Sequence, residues 1–324
     1  MSSEPTAQVK PPGLLEEIQE YWRKWPHKPL FFALLTGWLA LFYFVGNSTL
    51  GYINTRSIFG WLNYCYNNSQ DDEHGKLIPF VVIVLFWWKR QECFRAAKDG
   101  WWPALGLLLF GLALHVVGYA IQQTRISVVG FFIGLYGLTG LVWGREWLWK
   151  SFFPMILFAF CVPARAMAEI VTLPMRMKVT WLSVGFTHNI LGIDVFQKGS
   201  QIIDGHGMAL YDVAPACSGI RSLTTLLAIT LVYGFVNFQK SWKRLLMVLL
   251  AFPVALLGNT ARIVTVIIVG DAFGKDKGAM IEQKFGFITF AVAVSAILAV
   301  GWLLREDRTK KDPAPGLPLD AKTA

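Results

Sequence analysis

The sequence is short of charge and of the residue groupings from which metal sites and disulfide frameworks are made. Only 16% of its 324 residues are charged, against about a quarter in soluble domains, which argues against an ordinary soluble fold. Its four cysteines show no C-x-x-C spacing, so neither a zinc site nor a disulfide framework is indicated. Asp71, Asp72, Glu73 and His74 are consecutive and cannot easily converge on one ion; no metal and no cofactor is expected. No internal repeat is evident, which removes support for the inverted-repeat transporter architecture. Polar residues within the apolar runs are scattered (His115, Thr139, Thr230, Ser295), which argues against a permease. The net charge of +9 does not indicate nucleic acid, because the basic residues cluster at the ends of apolar runs, as membrane orientation requires.

Apolar runs are what the chain has in plenty: 54% of it is hydrophobic, with 14 Trp and 24 Phe. Several runs approach the roughly 20 residues that cross a bilayer as a helix. The expected fold is an all-α polytopic membrane protein of about eight transmembrane helices, with a small extracytoplasmic cap. Residues 1–29 read as a cytoplasmic tail, with no signal-peptide core before the first span, followed by an interfacial amphipathic helix. There Leu14, Leu15, Ile18, Tyr21 and Trp22 recur at helical spacing beside Arg23 and Lys24. Residues 30–304 form the transmembrane domain, and 305–324 a basic cytoplasmic tail. The expected spans are 30–46, 77–88, 101–121, 126–143, 152–162, 217–236, 245–257 and 286–304. Lys89-Arg90, Arg145 to Lys150 and Lys240 to Arg244 then close inner ends, which puts both termini in the cytoplasm and the chain in the plasma (inner) membrane.

Residues 163–216 break this pattern. Val171 to Leu191 is apolar in part but interrupted by Pro174, Arg176, Lys178 and His188, which suits an interfacial or partly re-entrant helix. Gly192 to Gly199 and Gln201 to Gly205 alternate weakly and suit a small hairpin in the cap. Residues 258–262 read as the outer end of a span, and 271–285 as a polar connection.

The cap delivers the chain to Asp212-Val213-Ala214-Pro215-Ala216-Cys217-Ser218-Gly219-Ile220-Arg221. Pro215 suits the first turn of a helix. Cys217 would then sit where unpaired N–H groups and the positive dipole end favour a thiolate. Arg221, four residues on, would share its face and favour the same anion. On these residues alone a reactive thiol and a buried structural cysteine with a snorkelling arginine both stand. In the expected topology Arg262 falls on the same outer side as Cys217, with Asn259 one helical turn before it. An arginine at membrane depth usually faces a cavity or a partner, and snorkelling to the interface is its alternative.

Three stretches, Ala216-Cys217-Ser218-Gly219-Ile220-Arg221-Ser222-Leu223, Asn259-Thr260-Ala261-Arg262-Ile263 and His74-Gly75-Lys76-Leu77-Ile78-Pro79, together resemble the exosortase/archaeosortase family. The resemblance implies a membrane-embedded cysteine peptidase or transpeptidase that cleaves the C-terminal sorting signal of exported proteins through an acyl-thioester. It implies partners that carry a short motif, a transmembrane helix and a basic tail, met within membrane lipid. It implies Cys217 as nucleophile and Arg262 as stabiliser or proton donor, with Arg221, Ser218 and Asn259 in support. Family members usually carry a histidine about four residues before a glycine near the last span. Here Glu282 stands at that place before Gly286, Lys284 is the nearby cation, and no histidine follows His206. The third role is therefore open between Glu282, Lys284 and His206. An ionised glutamate can act as a base but cannot stabilise an oxyanion, whereas a lysine can. A non-catalytic scaffold or assembly factor derived from the family is the alternative.

Overall fold

The computed structural model describes residues 13–49, 52–69, 71–163, 165–205, 209–212 and 220–305. Helix α1 (Leu14–Lys24) carries Glu16 and Glu17 in its first turn and Arg23 and Lys24 in its last, the arrangement its dipole favours. It is tied down by an ion pair between Glu17 and Arg90, 2.6 Å. Helix α2 (Lys28–Val45) opens with a proline in its first turn. Helix α3 (Ile58–Asn68) is capped by the Ser57 hydroxyl, which accepts from the amides of Phe59 and Gly60. Helices α4 (Ile78–Trp88) and α5 (Arg90–Ala96) follow, then α6 (Leu105–Ala120), α7 (Thr124–Trp143) and α8 (Arg145–Ile156).

These helices form the first half of the molecule, around a core that includes Trp38, Phe42, Phe131, Trp143 and Trp147. The α6–α7 pair is packed backbone to backbone. A Cβ placed on Gly111 would lie 2.5 Å from the Gly130 carbonyl oxygen, and one on Gly134 would strike the Trp38 ring. Small residues at such a crossing let two membrane helices reach van der Waals contact. The expected inner loop at 145–150 is instead a one-residue turn: Gly144, at φ +93°, leads straight into α8, because only glycine takes that conformation without strain.

The second half contains α9 (Arg165–Leu191), β1 (Val195–Lys198), β2 (Gln201–Asp204), β3 (Ala209–Asp212), α10 (Ile220–Asn237), α11 (Ser241–Phe273) and α12 (Lys275–Leu303). The expected hairpin is present, with Lys198 paired to Gln201 across a Gly199-Ser200 turn in which Gly199 has φ +65°. A third strand, which the alternation did not reveal, pairs antiparallel with β2. The sheet rests on helix: Val195 and Ile202 are buried with Val179 of α9 and Ile263 and Ile267 of α11. Each such side chain contributes on the order of 1.5–3 kcal/mol by leaving water.

Residues 241–273 form one continuous helix instead of ending near Leu257. The polar stretch expected as a connection is divided between the ends of α11 and α12, with Gly274 (φ +94°) as the turn. A helix satisfies its own backbone whatever its side chains, so polarity at 258–262 does not end α11, which runs on to Phe273. Among the described residues five helices are long and apolar enough to cross a membrane, and Ile78–Trp88 and Ser222–Asn237 are shorter apolar helices. The chain is a helical polytopic membrane protein.

Candidate active site

Three contacts set the levels of α10, α11 and α12. A Cβ on Gly234 of α10 would lie 3.5 Å from Arg244 Cα and 3.8 Å from Met247 Cβ on α11. One on Gly258 of α11 would lie 3.8 Å from the Thr289 carbonyl oxygen of α12, and one on Gly301 of α12 would meet Tyr233 of α10. Stepping along the antiparallel pair at equal rise, Ile220, the first residue of α10, stands level with the turn that carries Asn259 and Arg262. Leu223 accordingly shares a buried cluster with Ala255 and Ala293.

Asn259 is buried, 5% exposed. Arg262 lies one turn later on the same side of α11, about 31 Å along the helix from Ser241, and its guanidinium rests on α12. A Cβ on Gly286 would stand 3.3 Å from Arg262 Cζ and 3.4 Å from Nε. Gly286 adjoins Phe285, where the apolar window of α12 begins. The arginine is thus held at the edge of the apolar belt, where its stem can lie in hydrocarbon and its head can reach polar ground. Position 282 is four residues before Gly286 and falls on the same face of α12. Position 284 falls on the far side of that turn. Glu282 and Lys284 are placed here by backbone alone.

Cys217, Ser218 and His206 lie outside the described residues, and the side chain of Arg221 is likewise undescribed. The flanks of the cysteine stretch are described: β3 ends at Asp212 and α10 begins at Ile220. The motif therefore enters α10 at the level of Asn259 and Arg262, so the tertiary structure brings its entry point, Asn259, Arg262 and the Gly286 turn to one end of the α10–α12 bundle.

One feature of this region escaped the sequence reading. Arg176, Thr180, Ser183 and Thr187 form a buried polar stripe on α9, with Arg176 9% exposed and the other three 0%. Ser183 Oγ donates to the Thr260 carbonyl, 3.5 Å, between the two helices, and Thr180 Oγ1 donates to the Arg176 carbonyl, 2.9 Å. Polar residues at steps of four, three and four in a partly apolar helix were the available signal; Arg176 alone stood out, as an interruption.

The other cysteines have surroundings unsuited to nucleophiles. Cys65 is a free thiol; burial, reinforced by Asp72, pushes it up to about 11. Burial likewise pushes Cys93 up to about 11. Cys161 is buried, and its Sγ donates to the Gly75 carbonyl, 3.7 Å. Gly75 itself, part of the His74 to Pro79 stretch, lets the Tyr66 ring close over the backbone, so that stretch has a packing role. A separate cavity of about 380 Å³, lined in part by Trp61, Tyr64, Asp72 and Arg125, includes none of the residues expected to react. Among the described residues no group of His, Cys, Asp and Glu could hold a metal ion.

A polytopic helical bundle in which the Arg262 guanidinium is seated on Gly286, at the level where α10 begins, defines the class: a helical membrane protein. The family model for the transmembrane exosortases matches residues 61–299. The chain belongs to that family. No curated protein and no solved structure gives a significant match.

Proposed function

We propose that this exosortase-family chain is a membrane-embedded cysteine peptidase or transpeptidase that cleaves the C-terminal sorting signal of exported proteins. The transmembrane body, residues 30–304 with about eight crossings, carries the reaction, and residues 1–29 and 305–324 are its cytoplasmic flanks. In this reading both termini lie in the cytoplasm of a cell whose plasma membrane holds the protein, which the basic ends of the apolar runs support, and the site faces the opposite side. Substrates carry a short motif, a transmembrane helix and a basic tail, and the helix docks among the spans so that the motif reaches the outer interface.

The observation that carries this reading is the seating of the Arg262 guanidinium on Gly286, level with the start of α10. Cys217, favoured as a thiolate by the helix start and by Arg221, attacks the motif's carbonyl carbon. A C–S bond forms and the carbonyl oxygen becomes an oxyanion. Arg262, with Asn259 beside it, steadies that oxyanion. On collapse the C–N bond breaks, the departing amine takes a proton, and an acyl-thioester remains for water, an amine or a lipid acceptor. For the third role the backbone favours Glu282 over Lys284, since position 282 shares the helix face on which Arg262 is seated. A carboxylate there would accept the thiol proton and return it to the leaving amine. His206 is the competing base.

The test co-expresses a tagged substrate with wild type and with Cys217→Ala. Processing and a trapped thioester in wild type alone support the enzyme; identical processing in both points to the scaffold reading.

A further inference from the structure

At the opposite, basic rim both halves of the molecule meet around one aromatic ring. Phe235 of α10 stacks on Phe153 of α8, with centroids 3.6 Å apart and planes 5° from parallel. Lys89 Nζ, from the link between α4 and α5, lies 4.4 Å from the Phe235 centroid. Arg244 Cζ, from α11, lies 4.8 Å from the same centroid. The two cations can therefore be no farther apart than those distances combined. Lys89 also donates to the Lys150 carbonyl, 3.3 Å, which adds a third cation to the group.

One carboxylate serves two of the three. Glu92 lies 3.8 Å from Lys89 Nζ and 3.7 Å from Lys150 Nζ; among the described residues Arg244 has a carbonyl acceptor, Phe238, 2.8 Å away, and no carboxylate. The Lys89 side chain is only 10% exposed. Burial pulls its pKa down, and Lys150 and Arg244 pull the same way against Glu92. Like charges gathered in a half-dry seam are stabilised by an anion between them. Exposed Trp149, Phe152, Trp242 and Leu245 stand next to these cations in sequence and offer an apolar surface for acyl chains, with tryptophans suited to the headgroup level.

We infer that the seam between the two halves binds a phosphate anion through Lys89, Arg244 and Lys150, with an anionic phospholipid as the source. Such basic pockets between membrane helices are recognised headgroup sites. The bound phosphate would bridge α4–α5 and α8 to α11, and so couple the first half to the second at the end away from Arg262.

The test compares the full chain in nanodiscs of phosphatidylcholine with the same nanodiscs containing phosphatidylglycerol, and in a third arm adds inorganic phosphate to phosphatidylcholine. Lipid retained on the protein is read by native mass spectrometry and stability by thermal unfolding. Wild type is expected to retain phosphatidylglycerol and gain thermal stability from it. The Lys89→Gln/Arg244→Gln variant should lose about thirtyfold in apparent affinity, while Lys277→Gln, at the far turn, behaves as wild type. Should the double variant not fold, Lys150→Gln and the charge-keeping Arg244→Lys read the same site, the first weakening retention and the second preserving most of it. Equal stabilisation by inorganic phosphate would keep the anion site and reject the lipid as its source. Equal phosphatidylglycerol retention by wild type and the neutral variants would overturn the proposal.

Discussion

Helices α6 and α7 meet glycine to glycine, whereas α11 and α12 meet with an arginine head laid against one glycine. In the first pair the Gly111 and Gly130 backbones touch so closely that no Cβ fits. In the second, a Cβ at Gly258 would find its nearest neighbour 3.8 Å away, an ordinary contact, and further along the pair the Arg262 guanidinium lies against Gly286. The first half is a packed body with aromatic rings at its centre. The second carries buried polar side chains, Asn259 and the α9 stripe among them, inside what is otherwise apolar helix. The first half buries polar side chains as well, but Asn47, Ser48 and Thr124 there hydrogen-bond to one another. The hydroxyls of the α9 stripe instead donate to backbone carbonyls, one of them on α11. Buried polar groups add little stability on their own account, so what sets the second half apart is the arginine between its helices.

The sharpest way to break this contrast is Arg262→Gln. If Arg262 serves the reaction, substrate processing falls by about 10²–10³ while the unfolding midpoint stays near that of wild type. A loss of folded protein equal to the loss of processing would make the residue structural. Gly130→Val tests the opposite half and should destabilise by about 1–3 kcal/mol or more through overpacking, seen as a lower unfolding midpoint, whereas Gly258→Ala should be nearly silent.

Gly286→Ala is a finer probe. Its new methyl, 3.3 Å from Arg262 Cζ, requires the guanidinium to shift by a few tenths of an ångström. Processing should fall about tenfold through the chemical step, a cost typical of small misplacements in an active site, with the fold intact. Effects on substrate affinity alone would contradict the seating argument.

The smallest effect concerns His74 in the first half. Burial lowers its pKa below 6.5, outweighing the Asp71 carbonyl and Asp72, which raise it. The folded state therefore binds this proton less readily than the unfolded chain. Stability from this site is complete above the unfolded pKa of about 6.5 and declines as pH falls below it. Unfolding midpoints measured across that range should drop less in His74→Gln than in wild type.

The amphipathic first helix, the helical membrane class, the hairpin at Gly199 and the family all follow from features confined to short stretches: periodicity, a two-residue turn, a contiguous motif. The ends of α11 and the α8 start did not, because a charge or polar pair in a membrane sequence reads as a boundary whether the helix stops or merely emerges from lipid. The α9 stripe was equally hidden. Arg176, Thr180, Ser183 and Thr187 are ordinary interruptions until a neighbouring helix is known to cover them.

By itself the sequence determined that this chain lies in a membrane as helices and that it is an exosortase-family protein. Those properties are carried by composition and by residues close together in the chain. Only the tertiary structure decided that Arg262 is seated on Gly286, that α10 begins at the level of Asn259, and that Lys89, Lys150 and Arg244 converge on one seam. Each of those depends on which helices are neighbours and at what height, and helix register is set by packing between segments that no local pattern encodes.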